Sequence, residues 1–243
     1  MSYTNSPLVD YTRWSPNHSG ERTHVIDRIT PHSVVGQCSV EVLGDIFANP
    51  NREASSNYGV GYDGRVGLYV PESCRSWCSS SNANDQRAIT IEIATDTVEP
   101  YTVRDAAWAT TIKLCADICS RNGKKKLIWM NDREATLAYE PRADEMILTV
   151  HKWFGYTSCP NTWIMNHMEE LAAEVTRMLN PEPIPKKTFK DVTEKSSGYK
   201  QIMWAAENGI VKGYKDGTFR PSEPCTREQM CVMLYRLYNG LIK

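Results

Sequence analysis

Residues 151–160 read HKWFGYTSCP, which sets a histidine and a cysteine eight positions apart ahead of a proline. Imidazole and thiolate are donors that zinc favours, and a catalytic zinc takes three protein ligands and keeps a further position for water. Of the five histidines, His18 lies in a polar N-terminal stretch and His167 in an amphipathic helical pattern, whereas His24, His32 and His151 fall on or beside predicted strands. His32, His151 and Cys159 make a three-ligand set if the strand carrying His32 runs beside the one ending at His151. Spacing alone leaves a second reading open, in which His151 is a buried structural imidazole and Cys159 an unrelated thiol. Glu92 sits mid-strand in ITIEIA. A carboxylate there needs a cavity or a partner, unless the strand is an edge that turns it to solvent.

The elements that must position these groups follow from periodicity. HVIDRITPHSVV reads as a strand, SVEVLGDIF as a helix opened by Ser39, YGVGYDGRVGLYV as a hairpin turning at Asp63-Gly64, and RAITIEIA as a buried strand. TVRDAAWATTIKLCADICSRNG reads as a helix capped by Thr102 with Asp105 three residues on, facing its core with Trp108, Ile112, Cys115 and Cys119 and stopping at Gly123. KLIWM and MILTVH read as strands. A last helix, capped by Thr162, repeats Ile164, Met168, Leu171, Val175 and Met178. The fold class is α/β, a mixed central sheet flanked by helices, with a small C-terminal helical module. The chain divides into a domain over residues 1–180, a proline-rich linker over 181–187 with its boundary near residue 185, and a module over 188–243.

Eight cysteines in 243 residues are too sparse for a disulfide scaffold, so reduced thiols are expected. Cys115 and Cys119 fit core packing one helical turn apart. Cys74 and Cys78 have no second pair nearby to complete a four-ligand zinc site and stay unassigned.

The stretches ITPHSVVGQCS, SSNYGVGYDGRVGLYV, SWCSSSNANDQRAITIEIA and HKWFGYTSCP resemble, in order and separation, the type 2 N-acetylmuramoyl-L-alanine amidases. That zinc amidase and peptidoglycan-recognition superfamily includes many phage endolysins, and the resemblance covers roughly residues 22 to 180. It implies zinc held by His32, His151 and Cys159, with Glu92 handling protons and the Tyr58 hydroxyl donating to the developing oxyanion, although a tyrosine ahead of a hairpin also fits plain packing. Trp77 matches a position lining the substrate groove. The implied reaction is hydrolysis of the amide between N-acetylmuramic acid and the L-alanine of the stem peptide. A non-catalytic peptidoglycan receptor is the competing class, and such receptors commonly lose a zinc ligand, whereas all three are present here. Two departures stand out: Thr157 replaces a lysine found in some phage members, and Cys78 replaces a histidine common after Trp77.

FKDV, IMWAAENGIVKGYKDGTFRP and TREQMCVMLYRL resemble one S-layer homology repeat. Residues alone predict a helix ending at Gly209, a loop through Gly213 and Asp216-Gly217, and a second helix opened by a Thr226–Gln229 capping box, with Met230, Met233, Leu234 and Leu237 on its apolar face. The resemblance implies binding of a secondary cell-wall polymer through Asp191 and Arg227. A single repeat, with Ser197 where a tryptophan is usual, also suits association into a homo-oligomer.

A net charge of −1 gives no electrostatic reason to expect nucleic acid. No stretch reaches the roughly 18 apolar residues of a membrane span. The opening MSYTNSPLVDYTRWSPNHSGER lacks a basic start and an apolar core. The expectation is therefore synthesis in the cytoplasm without a signal peptide and action on the cell wall after release, as an endolysin; an autolysin exported by another route is the alternative.

Overall fold

A computed structural model describes residues 3–181 and 188–241, and the chain splits into two compact units, Met1–Pro181 and Glu182–Lys243. Apart from Pro181, the expected linker lies outside the described residues.

The first unit runs β1 (Tyr11–Thr12), β2 (His18–Glu21), β3 (Arg28–Val35), α1 (Val40–Ala48), β4 (Tyr58–Val60), β5 (Val66–Leu68), β6 (Cys74–Ser76), α2 (Asn82–Asp85), β7 (Ala88–Thr95), α3 (Asp105–Arg121), β8 (Lys126–Ile128), α4 (Arg133–Ala138), β9 (Glu145–Leu148) and α5 (Asn161–Leu179). Seven strands form one mixed sheet in the order β1-β5-β4-β7-β3-β9-β8, in which only β4 and β5 pair antiparallel, as a hairpin. β2 and β6 pair antiparallel in a small separate sheet. This is the expected mixed sheet flanked by helices.

Alternation along the two central strands divides the faces. Ile29 of β3 with Ile89, Ile91 and Ile93 of β7 joins Leu114 and Ile118 of α3 and Met168, Leu171 and Val175 of α5 in one core. Thr30 and His32 pair in register with Thr90 and Glu92 and face the other way. β7 lies between β4 and β3, so Glu92 is on a central strand and the edge-strand reading does not hold. Cys115 and Cys119 are fully buried in the helix core, and all eight cysteines are free.

Several element limits differ from the sequence reading. The first long strand begins at Arg28 rather than His24, and β8 and β9 end before Trp129 and Thr149. Ser39 caps α1 as expected, accepting from the Val42 N–H at 3.4 Å. Thr102 does not cap α3: its carbonyl accepts from Asp96 N–H, which holds it in the preceding loop, and Arg104 stands at the cap without a side-chain bond. α5 likewise starts one residue before Thr162, after Pro160, and Met178 near its end is exposed. β1, β2, β6, α2 and α4 carry two to six residues each, too short for periodicity to register.

The second unit holds α6 (Tyr199–Glu207) and α7 (Arg227–Leu241) around a core of Phe189, Val192, Ala206, Ile210 and Val211. Gly209 follows α6 at φ +69°. Gly213, at φ +66°, could take no side chain, because a Cβ there would stand 2.4 Å from the Phe189 ring. Thr226 and Gln229 form the expected reciprocal box, with the Thr226 N–H on Gln229 Oε1 at 2.9 Å and the Gln229 N–H on Thr226 Oγ1 at 3.1 Å. Met230 and Leu234 of α7 are exposed, while Met233 and Leu237 pack on the core, so only half of the expected apolar face is covered. Among the described residues, no helix is long and apolar enough to cross a membrane.

Candidate metal centre

β3 carries His32 on the face opposite α3 and α5, and the chain leaving β9 reaches His151 three residues past the strand end. The loop 152–159 folds back through the Lys152 N–H to the Cys159 carbonyl at 3.0 Å. This closure sets Cys159 beside β3, where the Ser33 N–H reaches its Sγ at 3.5 Å. His32 Nδ1 lies 3.4 Å from Cys159 Sγ, and the two imidazole centroids are 5.0 Å apart. Ligand atoms of His32, His151 and Cys159 all fall within 4.8 Å of one another. Zinc bonds of about 2.0 to 2.3 Å at tetrahedral angles separate ligand atoms by roughly 3.5 Å, so the set needs only a small contraction to seat the ion.

The electrostatics fit a cation. Burial holds the His32 imidazole well below its ordinary value, with His151 adding to the effect, and burial also lowers His151. Both rings are therefore neutral, the form that ligates metal. Burial pushes the Cys159 thiol up to about 12, with Glu92 adding to it. A bound cation reverses that logic and favours the thiolate. His32 Nε2 and Glu92 Oε2 are buried without a hydrogen-bond partner among the described residues, which is costly in a pocket with nothing else to bind.

Glu92 sits in the ladder directly opposite His32. Burial pushes its carboxyl up to about 7, and Cys78 Sγ approaches its Oε1 at 3.8 Å. The segment carrying Cys78 is held by α2. Asp85 accepts from the Cys78 and Ser79 N–H groups at 3.2 and 3.1 Å. Asn84 donates to Thr30 and Ser79 and accepts from Thr149 and Arg28. Ser80, at the end of this segment, places Oγ 3.2 Å from His151 Nε2. That contact leaves Nδ1 as the free nitrogen of the ring. The sequence reading did not include Ser80, Asn84 or Asp85; the available signal was a run of small polar residues directly ahead of a buried strand.

Tyr58 is a correction. It pairs with Ile91, whereas its neighbour Gly59 pairs with Glu92, so its ring points into the helix core. Its hydroxyl donates to Glu72 Oε1 at 2.6 Å and accepts from the Ser6 N–H at 2.8 Å. Arg121 completes this buried group on Glu72. The Tyr58→Phe variant should keep metal and turnover while losing about 1–3 kcal/mol of stability, the cost of stripping one donor from a buried acceptor. Denaturant unfolding beside an amidase assay checks this, and a loss of rate without a loss of stability would return Tyr58 to the chemistry.

Trp77 donates its indole N–H to Ser19 Oγ at 2.7 Å and its backbone N–H to Ser55 Oγ at 3.0 Å, leaving the ring partly exposed. Thr157, at the position of the missing lysine, accepts from the Cys159 N–H at 3.1 Å and so shapes the ligand loop. In the second unit the Asp191 carboxylate accepts from the Phe219 and Arg220 N–H groups at 2.8 and 2.7 Å, so it closes a loop. Arg227 is exposed at the first position of α7.

A family model described as N-acetylmuramoyl-L-alanine amidase matches residues 22–162, and one described as the S-layer homology domain matches residues 188–231. An endoglucanase of Bacillus sp. (strain KSM-635) is 49% identical over 53 residues, which is 22% of this chain and 5% of that protein. The chain thus spans a small fraction of that relative's length. Among solved structures, the endolysine N-acetylmuramoyl-L-alanine amidase LysCS from Clostridium intestinale URNW is 16% identical, with 69% of this chain and 96% of that one covered at a TM-score of 0.46. The Drosophila peptidoglycan recognition protein PGRP-SA is also 16% identical, with 65% and 90% covered at a TM-score of 0.48.

Proposed function

The chain belongs to the N-acetylmuramoyl-L-alanine amidase family, and on that premise we propose that it is a zinc-dependent hydrolase of the amide joining N-acetylmuramic acid to the L-alanine of the stem peptide. The observation that carries this reading is the convergence of His32, His151 and Cys159 within 4.8 Å beside the centrally placed Glu92. Zinc in that seat supplies Lewis acidity toward the amide carbonyl and lowers the pKa of water toward about 7. Two neutral imidazoles and one thiolate leave the centre a formal charge of +1, so the donor set preserves that acidity. Ser80 orients His151, and Cys159 is fixed by its loop closure onto β3. Glu92 is the proton handler: it takes a proton as water attacks and returns it to the leaving amine, a task suited to a carboxyl poised near neutrality. The exposed part of Trp77 is proposed as a wall of the groove.

The digestion of purified peptidoglycan tests the reading. Mass spectrometry is expected to show stem peptides with free L-alanine amino termini alongside glycan strands bearing free lactyl carboxylates. Products cut within the glycan or within the peptide would overturn it, and intact binding without products would point to the receptor class.

For the second unit we propose retention on the wall, in keeping with the S-layer homology match. A groove there is lined by Tyr214, Arg220 and Arg236 together with Glu223 and Glu228; Arg220 lies over the Tyr214 ring and pairs with Asp216 and Glu223, so Arg236 is the cation proposed for an anionic sugar polymer. Arg227 is a further cation for the same polymer. This makes a wall-bound autolysin the first reading of biological role. An endolysin that acts after release is the second, and self-association through the exposed face of α7 is its companion proposal.

Tethering raises the local substrate concentration at the catalytic groove. A chain ending at Pro181 should therefore keep turnover on soluble muropeptides while its sedimentation with intact walls falls by about tenfold or more. Unchanged wall binding after truncation would remove the anchoring role.

A further inference from the structure

The His32, His151 and Cys159 set shares one member with a second group. Ligand atoms of His32, Cys78 and Glu92 also lie within 4.8 Å of one another, and Cys78 Sγ is 3.8 Å from Glu92 Oε1. Two atoms of this group, His32 Nε2 and Glu92 Oε2, are buried without a partner among the described residues. His32 is only 1% exposed, so neither water nor rotation offers that ring an easy alternative. Its other nitrogen, Nδ1, already faces Cys159 at 3.4 Å.

We propose that His32, Cys78 and Glu92 form an alternative seat for a soft divalent cation, adjacent to the productive seat and mutually exclusive with it. Imidazole, thiolate and carboxylate are all zinc donors, and the thiolate selects soft ions over magnesium or calcium. Cys78 and Glu92 release their protons to solvent when the ion enters, so a divalent ion in this seat is formally neutral, against +1 in the productive one. Exclusivity follows from the shared ring, because a neutral imidazole offers one lone pair. Seated here, the ion takes Glu92 as a ligand, and that carboxylate can no longer accept a proton. The seat is a resting position for the metal. That consequence rests on the amidase reading above, whereas the binding itself does not.

Cadmium, followed through its ultraviolet thiolate charge-transfer band and by dialysis, is the probe. The His151→Ala, Cys159→Ala double variant lacks the productive seat and keeps the proposed one. It should still bind cadmium with a thiolate band, and adding Cys78→Ser should lower that band by one thiolate's share and weaken binding at this seat by more than the roughly 10- to 100-fold that loss of a merely supporting partner costs. The difference between the two variants cancels the remaining thiols. Identical bands and affinities with and without Cys78 would overturn the proposal, as would a double variant that binds no cadmium. Should circular dichroism show the double variant unfolded, Cys159→Ser with and without Cys78→Ser asks the same question with the same two outcomes. A chain that binds cadmium as predicted but releases no stem peptide would leave the seat standing and sink the amidase reading instead.

Discussion

The Glu92→Gln variant is expected to keep its zinc and its fold while losing about two to four orders of magnitude in rate, the usual contribution of a positioned general acid–base. The amide preserves the shape of the carboxyl but cannot take up a proton. Glu92 faces the same side of the sheet as His32 without belonging to the His32, His151 and Cys159 set, so its loss leaves the productive seat complete. A second measurement separates chemistry from packing. Burial raises the carboxyl from 4.5 to about 7, so the metal-free folded state holds a proton that the unfolded chain has released across that interval. Stability of the metal-free protein should therefore fall as pH rises from 4.5 to 7, because above the folded value the burial penalty is fully present. The glutamine variant should lack that slope. Unchanged turnover in a zinc-loaded Glu92→Gln protein would reassign the proton transfer, and rate lost together with zinc would make Glu92 a ligand.

Much of the site was legible because its residue types are individually out of place. A carboxylate within ITIEIA interrupts an apolar run, which buried strands tolerate only for a reason, and the histidine of RITPHSVV is a zinc donor that the resemblance, rather than its neighbours, singled out. What the residues alone did not determine was register. Tyr58 and Gly59 are adjacent in sequence, yet pairing of β4 with β7 puts Gly59 beside Glu92 and turns Tyr58 into the helix core. A shift of one residue exchanges the faces of a strand, and nothing in NYGVGYDG fixes that register. The long-range contacts that do fix it, Tyr58 to Glu72 and Glu72 to Arg121, join segments without a shared local pattern.

The supporting shell was less legible for a related reason. Asp85 and Asn84 lie in a helix of four residues, shorter than the window in which periodicity appears. Their roles come from contacts with Ser79, Thr30 and Thr149, which span three separate segments. Thr102 failed as a cap although its residue type is favoured, because a loop carbonyl contact to Asp96 holds it outside the helix; tertiary context overrides cap preference there. In the second unit, the capping box at Thr226 was readable because both partners are local. Asp191 was assigned to ligand contact by resemblance, and its backbone partners 28 and 29 residues away could not be read from FKDV.

Replacing His32 with alanine should have the largest effect of any single change on metal content, removing bound zinc altogether and reducing hydrolysis by more than the roughly two to four decades assigned to Glu92. His32 belongs to both candidate groups, so neither seat survives its loss. At His151 or Cys159, by contrast, alanine deletes the productive seat alone, and a weaker soft-metal site should persist through Cys78 and Glu92 while turnover disappears. Chelation of the unaltered protein should likewise abolish activity, and added zinc should restore it there but not in His32→Ala. The fold is expected to survive in every case, because His32 faces away from the helix core and the metal-free sheet is held by its own ladders. Metal content by atomic spectroscopy, read beside muropeptide release, checks all of this. Full lytic activity in a protein stripped of zinc, or a His32→Ala variant that retains both metal and turnover, would remove the metal from the reaction and leave Glu92 to act without it.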